Sequence, residues 1–355
     1  MPWRFSDDVE AYAERVLPLL STSPSEYTVA LTVIDTLRAG HRFSDQPMLF
    51  GWLEDDGEVR GAISHNPPFD LLLSVVPDAD ELTAALREHG AAVAGVNGDI
   101  ETVERFGAAW TAGTALRPTT WMEQRLFGLG TLEPPEPPPP GRARAAGVAD
   151  LGDAMAWFAA FCEELHLPVT EKESRARQQI DEGRLWLWED AAGVPVALAG
   201  RNAAAGGVAR IGCVYTPPER RGRGFAGAVT AACSADALAR GVERVVLFTD
   251  LGNPAPNAVY QRIGFRPLSD HRVVRFGREL ACAACGRRFG CGVDAGSCWC
   301  AAADLDDAAR ARIAAAYDDC LCPGCLVSPA AGGTFPRPPP PRPAPAPGAR
   351  APRPR

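Results

Sequence analysis

Lysine is almost missing from this 355-residue chain: Lys172 is the only one, and every other basic side chain is an arginine or one of five histidines. Together with abundant alanine, glycine and proline, that bias reads as genome-wide base composition. An arginine therefore counts as functional only where its position supports it. No run of about 18 uninterrupted apolar residues occurs, which excludes a membrane-spanning helix. The first residues, MPWRFSDDVEAYAERVLPLL, lack the basic start and unbroken apolar middle of a secretory signal, so a cytoplasmic location is expected. Excess positive charge is absent too. With 36 basic against 44 acidic residues the formal charge is -8, which argues against a general nucleic-acid binder and leaves room only for a local basic patch.

The chain is long enough for two or three domains, and its composition divides it. Residues 134–141 lie in a proline run that can neither continue a helix nor join a sheet interior, and read as a stiff linker. Residues 1–133 precede it and 142–278 follow. Eight of the eleven cysteines crowd into a third segment, 279–327, while Cys162, Cys213 and Cys233 lie upstream. Residues 328–355 carry five arginines, no acid and no apolar periodicity, and are expected to be a disordered tail. The first two segments share an order of elements. Strands at 48–53, 59–64 and 70–76 find counterparts at 185–188, 194–198 and 210–215, with Gly57 and Gly193 at matching turns, which suggests an internal duplication.

The stretch from Ala209 to Gly241 carries the most chemistry. A short β-branched strand, Arg210 to Tyr215, leads through Pro217-Pro218-Glu219-Arg220-Arg221-Gly222-Arg223-Gly224 to an alanine-rich helix from Phe225 to Arg240. Glycines let backbone approach a ligand, and the first amides of a helix lack intrahelical acceptors, so phosphate is the natural guest. A dinucleotide reading of Gly222, Gly224 and Gly227 fits by pattern. It is weakened because five residues with two prolines separate the strand from the first glycine.

Arg221-Gly222-Arg223-Gly224-Phe225-Ala226 resembles the Q/R-x-x-G-x-G/A signature of the GNAT superfamily of acyl-CoA-dependent N-acetyltransferases, and Asn253 through Tyr260 to Gly264-Phe265 is similar to a second pattern of that family. The resemblance implies an α/β GNAT fold for residues 142–278, a mixed, mostly antiparallel sheet flanked by helices. It also implies acetyl-CoA as cosubstrate. Its pyrophosphate would lie on the amides around Arg221, Gly222, Arg223, Gly224, Phe225 and Ala226, its pantetheine arm beside Val214, Tyr215 and Asn253, and Tyr260 would act as general acid to the leaving thiolate. No acid lies in the strand 210–216 to serve as base; Glu163, Glu164, His166, Glu189 and Asp250 are the candidates from elsewhere. Residues 1–133 have acids where this loop has arginines, and are expected to be a degenerate GNAT-like domain that shapes the acceptor cleft or the domain interface.

The third segment places Cys282, Cys285, Cys291, Cys298, Cys300, Cys320, Cys322 and Cys325 within 44 residues, with a two-residue gap in the first and last pairs. That spacing lets two thiolates reach one tetrahedral ion, and eight can close two four-cysteine sites, so two structural zinc ions are expected. Disulfides, an iron–sulfur cluster or a redox dithiol are the alternatives. The segment resembles the small cysteine-rich CWC family through Cys298-Trp299-Cys300 and Cys320-Leu321-Cys322-Pro323-Gly324-Cys325. Acetyl transfer to an amine of a small molecule or protein is the expected function. The alternative is a non-catalytic CoA-sensing regulator that contacts its partner through the zinc module.

Overall fold

A computed structural model describes residues 3–165, 172–252, 254–291, 303 and 305–327. The chain divides into two compact units, Met1–Thr114 with Pro118–Phe276, and Ala115–Arg117 with Gly277–Arg355.

In the first unit the same element order occurs twice. The first pass comprises β1 (Trp3–Ser6), α1 (Val9–Leu20), α2 (Thr28–Arg38), β2 (Leu49–Asp55), β3 (Glu58–His65), β4 (Leu71–Val75), α3 (Ala79–Glu88), β5 (Gly95–Asp99), α4 (Ile100–Thr111) and β6 (Arg117–Leu129). The second comprises β7 (Arg142–Ala145), α5 (Leu151–Glu164), α6 (Lys172–Asp181), β8 (Leu185–Glu189), β9 (Pro195–Arg201), β10 (Val208–Tyr215), α7 (Phe225–Ala239), β11 (Arg244–Asp250), α8 (Pro254–Arg262) and β12 (Phe265–Ala281). Local chemistry sets the boundaries. Asp8 and Asp99 accept hydrogen bonds from the first amides of α1 and α4, and Asp56-Gly57, both at positive φ, make the tight turn between β2 and β3.

The strands join in the order β1-β2-β3-β4-β5-β12-β6-β11-β10-β9-β8-β7. Each repeat has therefore given its last strand to the other. β12 from the second repeat pairs with β5 of the first, with His271 opposite Asp99, and β6 from the first pairs with β11 of the second, with Leu126 opposite Phe248. The parallel pairs β4–β5 and β10–β11 are bridged by α3 and α7.

Apolar residues form separate cores on the two faces of the second repeat. Helix α7 lays Ala228, Val229, Ala231 and Ala237 on Ala209, Ile211, Val245 and Leu247, its small side chains admitting a close approach to the sheet. On the opposite face α5 and α6 cover Leu185, Leu187, Leu198 and Tyr215. The proline-rich residues run along this repeat: the Trp188 indole N–H donates to the Pro140 carbonyl at 3.1 Å, and the Glu133 amide to the Ile263 carbonyl at 3.1 Å.

In the second unit, the end of β12 from Arg278 to Ala281 pairs with β13 (Arg288–Cys291) as a hairpin. Helices α9 (Asp307–Ala316) and α10 (Pro323–Val327) follow, and Phe289, Leu321 and Leu326 close a small core around cysteines.

Candidate active site and cysteine cluster

Cys213 breaks the regular pairing of β10. It has φ +52°, and the register against β9 shifts between Gly212 and Val214, so one extra residue bulges from the strand. Pairing with β11 stops at Ile211 opposite Leu247, although β10 runs to Tyr215 and β11 to Asp250. Beyond the bulge the two parallel strands are not paired. Val214 and Tyr215 remain bound to β9 on one side while their β11-facing edge has no ladder partner.

The glycine loop follows at the same end. Gly222 (φ +75°) and Gly224 (φ +83°) adopt the left-handed conformation, and Gly224 stands at the start of α7 with no side chain capping the helix. The amides of residues 222 to 227 have no acceptor among the described residues; Ala228 is the first whose amide is bonded, to the Gly224 carbonyl at 3.1 Å. Six free donors and no acid in the first turn make this end of α7 electropositive. The matching helix of the first repeat is closed: Asp78 accepts from the Glu81 amide at 2.9 Å, and Asp80 and Glu81 add negative charge.

Every expected cosubstrate residue except Asn253 has a definite place. Arg221 is a brace: its Nε donates to the Thr216 carbonyl at 2.8 Å and its Nη2 to both Glu164 oxygens at 2.6 and 2.9 Å. Phe225 is buried in the α7 core, so the loop gains only its amide, and Ala226 is half-buried. Arg223 is exposed. Val214 packs against the α7 core, whereas the Tyr215 ring turns to α5, near Trp157 and with its hydroxyl donating to Glu164 at 3.4 Å. Asn253 lies outside the described residues, and its neighbour in the motif, Asn257, donates to the Asp250 carbonyl at 3.3 Å and is bonded to the Thr249 hydroxyl.

Tyr260 sits on α8 at 8% exposure, edge-on to Phe265, in the core that α7 shares with the sheet. Burial and the neighbouring Cys213 push its phenol above the ordinary value, so it stays protonated at neutral pH. Its hydroxyl has no hydrogen-bond partner among the described residues. Close approach of α8 to α7 depends on Gly227, where a Cβ would sit 3.2 Å from Val259 Cγ1.

Three of the carboxylates considered as bases are otherwise engaged. Glu164 binds Arg221; Glu189 is held by Arg144 at 2.5 Å and Arg142 at 3.1 Å; Asp250 accepts from the Gly252 amide at 2.7 Å. Glu163 is exposed, and His166 lies outside the described residues. Two features carried no local signal. Arg210, on the face of β10 opposite Ile211, has a buried Nη1 without a partner, and burial beside the like-charged Arg175 pulls its guanidinium down to about 10. The second is a cavity of about 220 Å³ lined from both repeats.

In the second unit, the sulfurs of Cys282, Cys285, Cys322 and Cys325 all lie within 4.8 Å of one another. Two tight turns aim them: the Gly286 amide donates to the Cys282 carbonyl at 2.8 Å with Gly286 at φ +69°, and the Cys325 amide to the Cys322 carbonyl at 3.0 Å. Burial opposes ionisation of Cys282, yet amides aimed at its sulfur, including that of Cys322 at 3.2 Å, bring it down to about 6; burial pushes Cys322 and Cys325 up. Four clustered sulfurs, with amides that favour the thiolate of Cys282, fit a tetrahedral soft-metal site. Cys291 is buried and Cys320 half-buried, both outside this group, and Cys298 and Cys300 lie outside the described residues.

The bulged strand, its unpaired edge, the glycine loop and the free amides of α7 lie together at one end of the second repeat. Residues 153–265 match the family model described as the acetyltransferase (GNAT) family, and residues 282–327 match cysteine-rich CWC. Among solved structures, a GCN5-related N-acetyltransferase from Sphaerobacter thermophilus is similar at TM-score 0.51 and 19% identity, over 77% of this chain and 95% of its own. A Drosophila protein is similar at TM-score 0.55 and 14% identity, over 77% and 98%. No curated protein matches the chain in sequence. Residues 153–265 thus match the GNAT acetyltransferase family and residues 282–327 the cysteine-rich CWC family, and the fold shared with the solved structures takes in the N-terminal region as well.

Proposed function

We propose that the second repeat transfers an acetyl group from acetyl-CoA to an amine by direct attack in a ternary complex. The observation that carries this reading is the run of acceptor-less amides from Gly222 to Gly227 beside the unpaired edge of β10. These amides, chiefly those of Gly222, Arg223, Gly224, Phe225 and Ala226, hold the pyrophosphate, with Arg223 adding positive charge and Arg221 fixing the loop. The β10 edge at Val214 and Tyr215 takes the pantetheine amides as an added strand would, and Asn253 contacts the arm. The amine nitrogen attacks the thioester carbonyl, the carbon–sulfur bond breaks, Tyr260 gives its proton to the departing thiolate, and the proton shed by the nitrogen passes through solvent to restore the Tyr260 hydroxyl. A proton donor at that point is worth about 100-fold to 10,000-fold in rate. One structural zinc ion on Cys282, Cys285, Cys322 and Cys325 supplies folding free energy to a module with a small core, and a second would draw on Cys291, Cys298, Cys300 and Cys320.

The test is release of free CoA from acetyl-CoA over a panel of amines, for the wild type and Tyr260→Phe. Turnover with at least one amine, lowered in the variant, supports transfer. Binding of acetyl-CoA without release on any amine favours a CoA-sensing regulator instead.

A further inference from the structure

The cavity of about 220 Å³ lies at the centre of the sheet and has walls from both repeats: α2, β4 and β5 of the first, β11 of the second, and the exchanged strands β6 and β12. Strand exchange is what brings them together, because it sets β12 and β6 between β5 and β11. His271 on β12 meets Phe248 on β11 edge to face, 5.2 Å between ring centres. β11, whose Phe248 lines the cavity, is also one of the two strands that part at the proposed thioester site.

Its charged lining is negative and uncompensated. Glu26 accepts the Ser269 hydroxyl proton on Oε2 at 2.6 Å, and Asp99 accepts the Thr102 amide on Oδ1 at 3.0 Å. Each carboxylate keeps a second oxygen with no partner among the described residues, and no lysine or arginine lines the cavity. The hydroxyl of Ser269 has one proton, committed to Glu26, so its contact with His271 Nε2 at 3.1 Å makes that nitrogen the donor. The lone pair of the neutral ring is then on Nδ1. Burial lowers the His271 pKa against the pull of Glu26, Asp99 and Asp270, which keeps the ring neutral near pH 7. Finally, Ser74 Oγ, also in the lining, is buried without a hydrogen-bond partner. Free carboxylate oxygens, an imidazole lone pair and the Ser74 hydroxyl give the cavity several acceptors, and its donors, the Tyr27 hydroxyl and the Asn97 and Gln124 amides, are uncharged.

We propose that this cavity binds a small aliphatic amine, taken up in its ammonium form with Glu26 and Asp99 as counter-charges, and that it is the acceptor site of the transferase, where one ammonium proton passes to a free carboxylate oxygen of Glu26 or Asp99 before the nitrogen attacks. The second clause rests on the function proposed above; the first does not. Its volume suits a chain of a few carbons rather than a peptide or nucleotide.

Calorimetric titration of the full chain with 1,4-diaminobutane, and separately with the uncharged 1,4-butanediol, tests it. Diamine binding in the millimolar range or tighter is expected, with no detectable diol binding. Glu26→Gln and Asp99→Asn keep acceptor oxygens for Ser269 and the α4 amide, and each is expected to weaken the diamine by roughly tenfold. Acetyl-CoA titrated into the same variants is expected to bind as in the wild type. Equal binding of diol and diamine, diamine binding unchanged in both variants, or no diamine binding at all would overturn the cation site. A wild type that binds the diamine but not acetyl-CoA would leave the cation site standing and remove the transferase reading.

Discussion

Arg221 and Glu164 tie the glycine loop to helix α5: one guanidinium nitrogen reaches both carboxylate oxygens at 2.6 and 2.9 Å, while Nε holds the Thr216 carbonyl at 2.8 Å. The arginine of the motif thus shapes the loop from outside. Both side chains are nearly half exposed, so the ion pair itself is worth at most about 1 kcal/mol. Glu164→Gln is expected to leave thermal stability almost unchanged. Arg221→Ala, which also frees the Thr216 carbonyl and removes positive charge, is expected to weaken acetyl-CoA by roughly tenfold in an equilibrium titration.

Tyr260→Phe removes a hydroxyl that has no hydrogen-bond partner among the described residues, so folding and acetyl-CoA affinity are expected to be unchanged. Turnover, followed by CoA release, is expected to fall by roughly 100-fold. An unaltered rate would remove Tyr260 from the mechanism.

Arg210 is half-buried, with its Nη1 shut away from water and unpaired, and its guanidinium is drawn down to about 10. Arg210→Met keeps much of the volume and discards that penalty. Denaturant unfolding is expected to show a gain of about 1–2 kcal/mol. A loss of stability would mean that the guanidinium has a favourable partner.

Arg144 donates to Asp150 at 2.7 and 2.8 Å and to Glu189 at 2.5 Å. These bonds hold both carboxyls below their usual range in the folded protein. Because the folded values lie below the unfolded ones, the stabilisation is complete at neutral pH and drains away as pH falls below about 4. Unfolding measured from pH 7 to pH 3 is expected to show this decline in the wild type. Arg144→Met should start less stable at pH 7 and decline less steeply.

The four-sulfur cluster predicts that chelation releases bound zinc and that Cys282→Ser lowers metal content. Limited proteolysis is then expected to cut within residues 279–327 while residues 3–276 stay protected, since the small core around Phe289 and Leu326 depends on the metal.

Much of the site was legible because its determinants are local. Glycines at positive φ, prolines that stop a strand, and an alanine-rich stretch announce the loop between β10 and α7 within some thirty residues, about the length of one βαβ unit. Two cysteine pairs likewise point to the cluster that Cys282, Cys285, Cys322 and Cys325 form, and the repeated turns at Gly57 and Gly193 foretold two similar passes of the chain. The exchange of β6 and β12 was hidden. Nothing in the residues of either strand says which sheet neighbour it takes, and register is decided by contacts far apart in sequence. Glu164 meets Arg221 across 57 residues and Glu26 meets Ser269 across 243, so neither partnership leaves a mark in any short window.

The most direct measurement is calorimetric titration of acetyl-CoA into the full chain and into Gly224→Glu, which places a carboxylate among the free amides at the start of α7. One molecule bound per wild-type chain, lost in the variant while its circular dichroism and metal content are retained, is the predicted result. Absence of binding to the wild type, or equal binding to the variant, would contradict the assignment of the glycine loop.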